Sequence, residues 1–432
     1  MHKPAFSEKN NPYAAKQARY YALGLLTIVF SFNFIDRQLL AILQEAIKED
    51  LLLSDGQLGL LTGFAFAVFY VTAGIPIARW ADGSNRRNIV ALALAVWSGM
   101  TALSGLVQNY WQLLLVRIGV GVGEAGGSPP SHSMISDIFL PHQRASALGF
   151  YSMGVNFGIL FGFLFGGWLN EYFGWRVAFM VVGLPGVLLA VILRFTFAEP
   201  IRGLTDNRVA SDSSTSFTGV LAVLWKSRAF RHLAAGVSLN AFVAYSASNW
   251  NASYMIRSHG MSTGELGTWL ALIIGVGGAI GVFGGGLVSD RLARKDKRWY
   301  VWVPVIAGVI ATPFVVLVYL AQDPYQALLC MLVPSMMANV YLGNAIAITH
   351  ALVGIRMRAM ASAILLLFLN IIGLGAGPWT VGIVSDYLGT QYGVESLRYA
   401  MLFVLAPVGI WSICHFYLAS LTLRDDLLRA PD

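Results

Sequence analysis

The sequence predicts an all-α integral membrane protein, with twelve transmembrane helices arranged in two six-helix bundles. Three observations support this prediction. Of the 432 residues, 56% are hydrophobic and only 12% are charged, whereas soluble domains contain about 25% charged residues. The chain contains about twelve apolar runs, each long enough to cross a bilayer as a helix. Its two halves also repeat short motifs at matching positions.

The apolar runs follow one another along the whole chain, separated by short polar connections. A helix needs about 20 residues to cross the hydrocarbon core. The strands of a membrane barrel would instead appear as alternating segments of about ten residues. We place the helices at residues 19–45, 57–79, 86–107, 111–138, 145–170, 174–196, 229–257, 264–290, 298–321, 325–353, 358–386 and 393–422.

The basic residues predict which side of the membrane each connection faces. With the N-terminus placed in the cytoplasm, most of the 29 Lys and Arg residues fall in the tails and the even-numbered loops. This is the positive-inside distribution, and it places both termini in the cytoplasm. The net charge of +7 is then explained by topology and needs no nucleic-acid partner. The outer loops hold only Lys48, Arg176, Arg257 and Arg398.

The polar segments divide the chain. The first apolar run is too long for the core of a signal peptide, and no small-residue cleavage site follows it. The Ser-rich stretch "DNRVASDSSTSFTG" marks a linker between the halves. We therefore predict an N-terminal cytoplasmic tail at 1–18, an N-terminal six-helix bundle at 19–196, a cytoplasmic linker at 197–228, a C-terminal six-helix bundle at 229–422 and a cytoplasmic tail at 423–432.

One motif occurs after the second span of each half. The stretches "ARWADGSNRR" and "GLVSDRLARK" align, so that Asp82 matches Asp290. An acid near a helix N-terminus is favourable, and arginine can clamp a carboxylate across a helix junction. The recurrence predicts a lock on the cytoplasmic side, although the same residues could serve only as topology determinants. The predicted cytoplasmic gate consists of Asp82, Arg86, Arg87, Asp290, Arg291 and Arg294.

Four ionisable residues lie deep in apolar spans of the first half, namely Asp36, Arg37, Arg117 and Glu124. Each costs roughly 2.5–3.5 kcal/mol on insertion scales, and such residues commonly mark ion or substrate paths. The alternative is a structural ion pair that fixes helix packing. Neighbours on a helix point in different directions, so Asp36 and Arg37 need partners on another helix. Asp36 with Arg117, or Glu124 with Arg37, are the simple pairings, and both remain open.

A buried carboxylate beside an arginine can carry a proton. When the arginine moves away, the unpaired charge in an apolar environment favours protonation of the acid. Asp36 and Glu124 are therefore the predicted proton-coupling residues, and Glu124 is better placed by its depth in the span.

The two halves of six spans, with the pattern G-x-x-x-D-R-x-x-R-K after the second span of each, resemble the major facilitator superfamily. The second copy matches well, whereas the first departs at Ala78, Gly83 and Asn85. Within that superfamily, "NFIDRQLL", "SDGQLGLL" and "RIGVGVGE" resemble the spinster family. The resemblance implies the major facilitator fold, a site near the bilayer midplane, and first and fourth helices that face each other.

The spinster resemblance implies a transporter of lysophospholipids or sphingosine phosphates, with proton coupling and alternating access. Arg37 or Arg117 would bind the phosphate, because a guanidinium donates paired hydrogen bonds. The acyl tail would lie against uncharged side chains of the second half, for each of which helix packing or lipid contact is the alternative. The predicted tail-binding residues are Phe242, Tyr245, Trp250, Tyr341, Phe368 and Trp379.

The alternative function is a proton-coupled carrier of small organic anions or an amphiphilic drug exporter, and a small polar cargo predicts polar cavity residues in both halves. An enzyme is not expected, because no HExxH, GxSxG or His-Asp constellation lies in a span. Cys330 and Cys414 lie in apolar runs and predict neither a disulfide nor a metal site. We expect a monomer of the inner (plasma) membrane without a cofactor, whose partners are the amphiphilic lipid substrate, protons and membrane lipids.

Overall fold

The computed structural model describes residues 11–203, 216–354 and 357–430, and these residues form helices joined by short connections. Parts of the predicted tails and linker, at 1–10, 204–215 and 431–432, lie outside the described residues. In chain order the helices are α1 Lys16–Leu51, α2 Asp55–Gly83, α3 Arg86–Ser104, α4 Tyr110–Glu124, α5 Ser128–Ile138, α6 Pro141–Thr196, α7 Phe217–Lys226, α8 Arg228–His259, α9 Thr263–Ala293, α10 Trp299–Leu320, α11 Pro324–Ala351, α12 358–392 and α13 Ser396–Leu428.

The helices make the predicted passes across the membrane. Helix α6 holds two passes, because Gly174 leaves the helical conformation with φ 81° and ψ 164°, values that are open to glycine. Helices α4 and α5 together make one pass. Helices α1 and α13 extend beyond the predicted runs, to Leu51 and Leu428. Within the predicted linker, the short helix α7 packs on the second half through Val220 and Leu224.

A row of glycines brings α1 and α6 into close contact. Gly154, Gly158, Gly162 and Gly166 recur every four residues on α6 and therefore share one face. A Cβ at Gly162 would lie 2.8 Å from the Gln38 Cβ and 2.9 Å from the Ile35 carbonyl oxygen. This packing fixes the rotation of α1 around Asp36 and Arg37.

The two halves meet mainly near one end of the molecule. We call this end the distal face, defined by Leu52, Asp55 and Gly393, and the opposite end, where Lys16 and Leu428 lie, the terminal face. On the distal side, a Cβ at Gly59 of α2 would lie 2.5 Å from the Pro378 carbonyl oxygen of α12. Among the described residues, every hydrogen bond and ion pair between the halves lies in the distal part of the helices.

Candidate functional site

A cavity of about 690 Å³ lies between the two halves. Its first-half wall includes Phe34, Arg37 and Phe66, and its second-half wall includes Val315 and Leu369. An apolar cavity with a few polar groups is the usual form of a small-molecule site. The charged side chains that reach this cavity therefore define the candidate site.

The four membrane-embedded charges form two ion pairs, so both of the simple pairings occur. Arg117 Nη1 donates to Asp36 Oδ2 at 2.8 Å, and Arg37 Nη2 donates to Glu124 Oε2 at 2.7 Å. The Thr101 hydroxyl donates to the other Asp36 oxygen at 2.5 Å. Asp36 is thus held through both of its oxygens, and its pair with Arg117 is deeply buried.

Two members of this network, Arg117 and Arg37, line the cavity, and the more exposed of the two is Arg37. Its side chain is 15% exposed, whereas the Glu124 side chain is fully buried. The Arg37 guanidinium carbon also lies 5.1, 4.8 and 5.3 Å from the ring centroids of Phe34, Phe66 and Tyr70, which is within cation–π range. The rings and Glu124 hold the guanidinium at the cavity wall.

Glu124 has one carboxylate oxygen without a partner. Arg37 donates through Nε and Nη2 to Oε2, whereas Oε1 is buried and accepts no hydrogen bond from the described residues. A buried acceptor without a partner is costly. Oε1 is therefore the position in this network at which a proton can be added without breaking an existing bond.

The glycines of "GVGVGEAGG" bring Glu124 close to its neighbours. A Cβ at Gly121 would lie 3.2 Å from the Phe66 carbonyl oxygen, and one at Gly123 would lie 2.8 Å from the Trp97 amide nitrogen. Small residues thus let α4 approach α2 and α3 closely. Helix α4 ends at Glu124. Helix α5 begins at Ser128 and contains Pro129 and Pro130 in its first turn.

Of the six predicted tail-binding residues, Tyr245 and Tyr341 line the cavity. The other four are not among the residues that line this cavity, and their rings fill contacts between helices. These four residues are Phe242, Trp250, Phe368 and Trp379.

The aromatic residues that do not line the cavity have well-defined packing partners. Trp250 is fully buried and donates its Nε1 hydrogen to the Pro378 carbonyl oxygen at 2.8 Å. The Trp379 ring lies 5.3 Å from that of Phe64 across the two halves. Phe242 is 7% exposed within the largest hydrophobic core cluster.

The fourth of these residues, Phe368, also does not line the cavity. Its ring lies 6.0 Å from that of Trp225 on helix α7. The second half instead lines the cavity with amides and hydroxyls that the sequence analysis did not single out. These are Asn240, Ser248, Asn249, Asn251, Ser335, Asn339 and Asn370.

The first-half residues of the predicted gate bond within the first half and to the start of the predicted linker. Arg86 is buried and donates to Asp137 at 2.5 Å and to Glu199 at 2.8 Å. The Arg87 amide donates to the same Glu199, and the Asp82 backbone carbonyl accepts from Arg202. Arg86 therefore ties the predicted gate motif to α5 and to the chain after α6.

The second-half gate residues also make no bridge to the other half among the described residues. Asp290 accepts a hydrogen bond from the Tyr300 hydroxyl at 3.1 Å. In the following loop, the backbone amide of Arg298 holds the pKa of Asp296 below its ordinary value, and the Arg298 and Arg424 guanidiniums contribute. The terminal face is not locked by these residues in this conformation, so the gate stays a prediction for the opposite one.

An ion-pair cluster on the distal face joins the halves and was missed by the sequence analysis. Arg257 of α8 donates to both oxygens of Glu45 on α1 and to both oxygens of Asp55 on α2, each at 2.7 Å. We call Glu45, Asp55 and Arg257 the distal clasp. All three side chains are at most 9% exposed, and Lys48 adds a bond to Asp55 at 2.6 Å.

The start of α2 is also capped by the other half. Asp386 of α12 accepts hydrogen bonds from the backbone amides of Asp55 at 2.9 Å and Gly56 at 2.7 Å. The Ser385 hydroxyl donates to the Asp55 carboxylate at 2.6 Å. Helix N-termini favour a negative charge, so these contacts reinforce the closure around the clasp.

A metal-based site has no support in the described part of the chain. No three His, Cys, Asp or Glu side chains are grouped there in a way that could hold a metal ion. Cys330 and Cys414 are both free. The cationic groups that the described residues present to the cavity are the guanidiniums of Arg37 and Arg117, and Glu124 is paired with Arg37.

Comparison with known proteins places these features in a family. A family model described as Major Facilitator Superfamily matches residues 26–336. An MFS-type efflux pump of Mycolicibacterium smegmatis (strain ATCC 700084 / mc(2)155) is 33% identical over 409 residues, which is 94% of each chain. A probable galactarate/D-glucarate transporter of Bacillus subtilis (strain 168) is 27% identical over 323 residues, covering 68% of this chain and 70% of the relative.

Among solved structures, the chain is similar to a bacterial homolog of the human lysosomal transporter spinster, in an inward-facing and unoccupied conformation. The TM-score is 0.84 and the sequence identity is 31%, with 96% of this chain and 99% of that chain covered.

Proposed function

The chain belongs to the major facilitator superfamily, and from this premise we propose that it transports an anionic amphiphile of the lysophospholipid or sphingosine phosphate class by alternating access. The observation that carries the proposal is the position of Arg37. It presents a partly exposed guanidinium to a cavity whose opposite wall is largely apolar. A partly exposed guanidinium next to an apolar wall is complementary to a molecule with one anionic headgroup and one apolar tail.

The headgroup would bind at the free end of the Arg37 guanidinium. Glu124 occupies Nε and Nη2, so Nη1 takes no part in that ion pair. Hydrogen bonds between a guanidinium and a phosphate are charge-assisted and therefore strong. Arg117 is a weaker candidate for this role, since its side chain is 2% exposed and pairs with Asp36.

The tail would extend along the second half. Val243, Ile274, Val315, Leu342 and Ile413 line this part of the cavity, and they come from different helices. Burial of apolar surface contributes about 25 cal/mol per Å², so a long chain would provide most of the binding free energy. The predicted tail contacts with Tyr245 and Tyr341 remain part of the proposal.

Proton coupling would operate through Glu124. When an anionic headgroup draws Arg37 away, Glu124 is left as a buried charge without a partner, which is strongly unfavourable. Protonation at its unpartnered Oε1 removes that cost. Asp36 is the weaker candidate because Arg117 and Thr101 occupy both of its oxygens.

The proposal includes the cytoplasmic placement of both termini in the inner (plasma) membrane, which the positive-inside distribution of charges supports. The terminal face is then the cytoplasmic face. The predicted gate residues on that face would close it when the distal face opens.

The decisive experiment uses the purified protein in liposomes with a labelled lysophospholipid and an imposed pH gradient. We expect the label to accumulate against its concentration gradient, and we expect collapse of the pH gradient to stop accumulation. No movement of the lysophospholipid, together with clear flux of a small organic acid, would overturn the proposal.

A carrier of small organic anions is the second candidate. The amides and hydroxyls that line the second half of the cavity favour it, because they could bind the hydroxyls of a polar cargo. The similar Bacillus subtilis protein is named as a probable galactarate/D-glucarate transporter. Competition in the same liposome assay separates the two candidates, since only a small-anion carrier would be inhibited by glucarate and not by an alkyl phosphate.

A further inference from the structure

Two neutral hydrogen bonds join the halves at the distal end of the cavity. The Ser248 hydroxyl donates to Gln38 Oε1 at 3.2 Å, and Asn249 Nδ2 donates to Thr62 Oγ1 at 3.0 Å. All four side chains line the cavity. We call these four residues the inner tier.

The inner tier and the distal clasp lie on the same three helices. Gln38 precedes Glu45 by seven residues on α1, and Asp55 precedes Thr62 by seven on α2. Asn249 precedes Arg257 by eight on α8. Seven or eight residues of helix rise about 10–12 Å along the axis. The closure therefore has an ionic layer at the distal face and a neutral layer that contacts the cavity.

The two layers differ in whether a cargo can compete for their hydrogen bonds. The clasp is almost completely buried and saturated with charged partners. The inner tier is neutral and lines the same cavity as Arg37, with Gln38 8% exposed and its three partners partly exposed. A neutral hydrogen bond contributes only about 0.5–1.5 kcal/mol, so a cargo group can compete for it.

We propose that the inner tier is a specificity site for a hydroxyl group that the cargo carries beside its anionic group. A hydroxyl is both a donor and an acceptor, so it can accept from Asn249 Nδ2 and donate to Gln38 Oε1. Asn249 Nδ2 has a second N–H and Gln38 Oε1 a second lone pair, so the hydroxyl adds a bridge between the halves beside the direct bonds. This inference rests on the proposed function, because it requires the anionic group to be bound at Arg37.

The expected selectivity is modest. A cargo that lacks the hydroxyl leaves the bonds of the inner tier in place and creates no unpaired group. We therefore expect the hydroxyl to tighten binding about three- to tenfold, as one neutral hydrogen bond would.

The test measures the dissociation constants of two probes for the purified full-length protein in nanodiscs. The probes are a lysophosphatidic acid, which carries the hydroxyl, and an alkyl phosphate with the same chain length, ester and three-carbon spacer, which lacks only the hydroxyl. We expect the wild-type protein to bind the lysophosphatidic acid about three- to tenfold more tightly. Equal affinities would overturn the inference and leave the proposed function standing, whereas failure to bind either probe would overturn the proposed function.

Two variants separate hydroxyl recognition from a purely structural bond. We expect Asn249→Leu to bind both probes equally, at the wild-type affinity for the alkyl phosphate. We expect Thr62→Val to keep or increase the preference, because Asn249 then has no competing acceptor. If the contact were merely structural, the two variants would show the same preference between the probes. That result would overturn the inference.

Thr72→Val is the matched control for the threonine substitution. Thr72 is also on α2 and bonds its own helix at the Val68 carbonyl oxygen, but it lies outside the cavity, so we expect the wild-type preference. If Asn249→Leu binds neither probe, Gln38→Met removes the other proposed partner. An unchanged preference in Gln38→Met would overturn the inference.

Discussion

Arg37 has two negatively charged partners in the proposed cycle, and it can satisfy only one of them fully at a time. In the structure that partner is Glu124, at 2.7 Å. Three aromatic rings hold the guanidinium in place, so it need not move far to reach an anion in the cavity. The exchange between Glu124 and the cargo headgroup is the step at which substrate binding and proton binding would be linked.

Replacing Glu124 with glutamine should separate binding from accumulation. Glu124→Gln cannot take up a proton, but it leaves Arg37 free for the headgroup. We expect binding of labelled lysophospholipid to be kept and accumulation driven by the pH gradient to be lost, as measured in the liposome assay. Glu49→Gln, on the exposed distal end of α1, is the control and should accumulate normally. Normal accumulation by Glu124→Gln would remove Glu124 from the mechanism.

The shape of the guanidinium should matter as well as its charge. A lysine ammonium cannot bond Glu124 and a phosphate with the fixed geometry of an arginine. We expect Arg37→Lys to weaken binding of an alkyl phosphate by about ten- to a hundredfold, the size of one charge-assisted hydrogen bond. Arg79→Lys, on α2 outside the cavity, serves as the control. A wild-type dissociation constant for Arg37→Lys would exclude the proposed headgroup contact.

At the scale of the helices, the site depends on how closely neighbouring helices approach. Gly162 contacts α1 at Gln38 and Ile35, on either side of the Asp36-Arg37 pair. On α4, Gly121 approaches Phe66 and Gly123 approaches Trp97, which positions the neighbouring Glu124. A side chain at any of these positions would push apart the helices that carry the four charges.

A substitution on the α6 glycine row tests this argument. In Gly162→Ala, the new Cβ would lie 2.9 Å from the Ile35 carbonyl oxygen and 2.8 Å from the Gln38 Cβ of α1, so the helices must shift and the melting temperature in detergent should fall. Gly149→Ala on the same helix has no atom within 4 Å of the new Cβ. Alanine favours a helix over glycine by about 1 kcal/mol, so this control should be at least as stable as the wild type. Equal stability of the two variants would contradict the packing argument.

At the scale of the whole molecule, the distal face is closed and the described residues make no polar bridge between the halves near the terminal face. The distal clasp joins three helices of the two halves, and the inner tier lies beneath it. Alternating access requires both layers to separate. The predicted gate on the terminal face would form when these two layers separate.

Breaking the clasp should shift the molecule toward opening at its distal face. Removing one partner of a buried ion pair costs about 3–5 kcal/mol, and Arg257→Gln leaves Glu45 without its cationic partner. Spin labels at the exposed positions Leu52 and Val394, one in each half, should show longer distances in this variant.

Arg176→Gln is the matched control for the clasp. Arg176 also forms an ion pair on the distal face, but its partner Asp50 belongs to the same half. We expect its distance distribution to match that of the wild type. An unchanged distribution in Arg257→Gln would show that the clasp does not hold the distal face closed.

The sequence by itself determined the class of the molecule. The all-α membrane fold and the resemblance to the spinster family of the major facilitator superfamily are confirmed. These features could be predicted because hydropathy, charge distribution and short motifs are local properties of the chain. The same is true of the four costly charges in the first half, because a charge within an apolar run is visible without knowledge of its partners.

Only the tertiary structure decided which residues meet. It showed that both ion pairs of the network form, and it moved Phe242, Trp250, Phe368 and Trp379 from the cavity into helix contacts. It also brought Glu45 and Arg257 together, although 212 positions separate them. The physical reason is that helix rotation and the approach of the two halves determine these contacts. Both depend on packing between segments that are distant in the sequence.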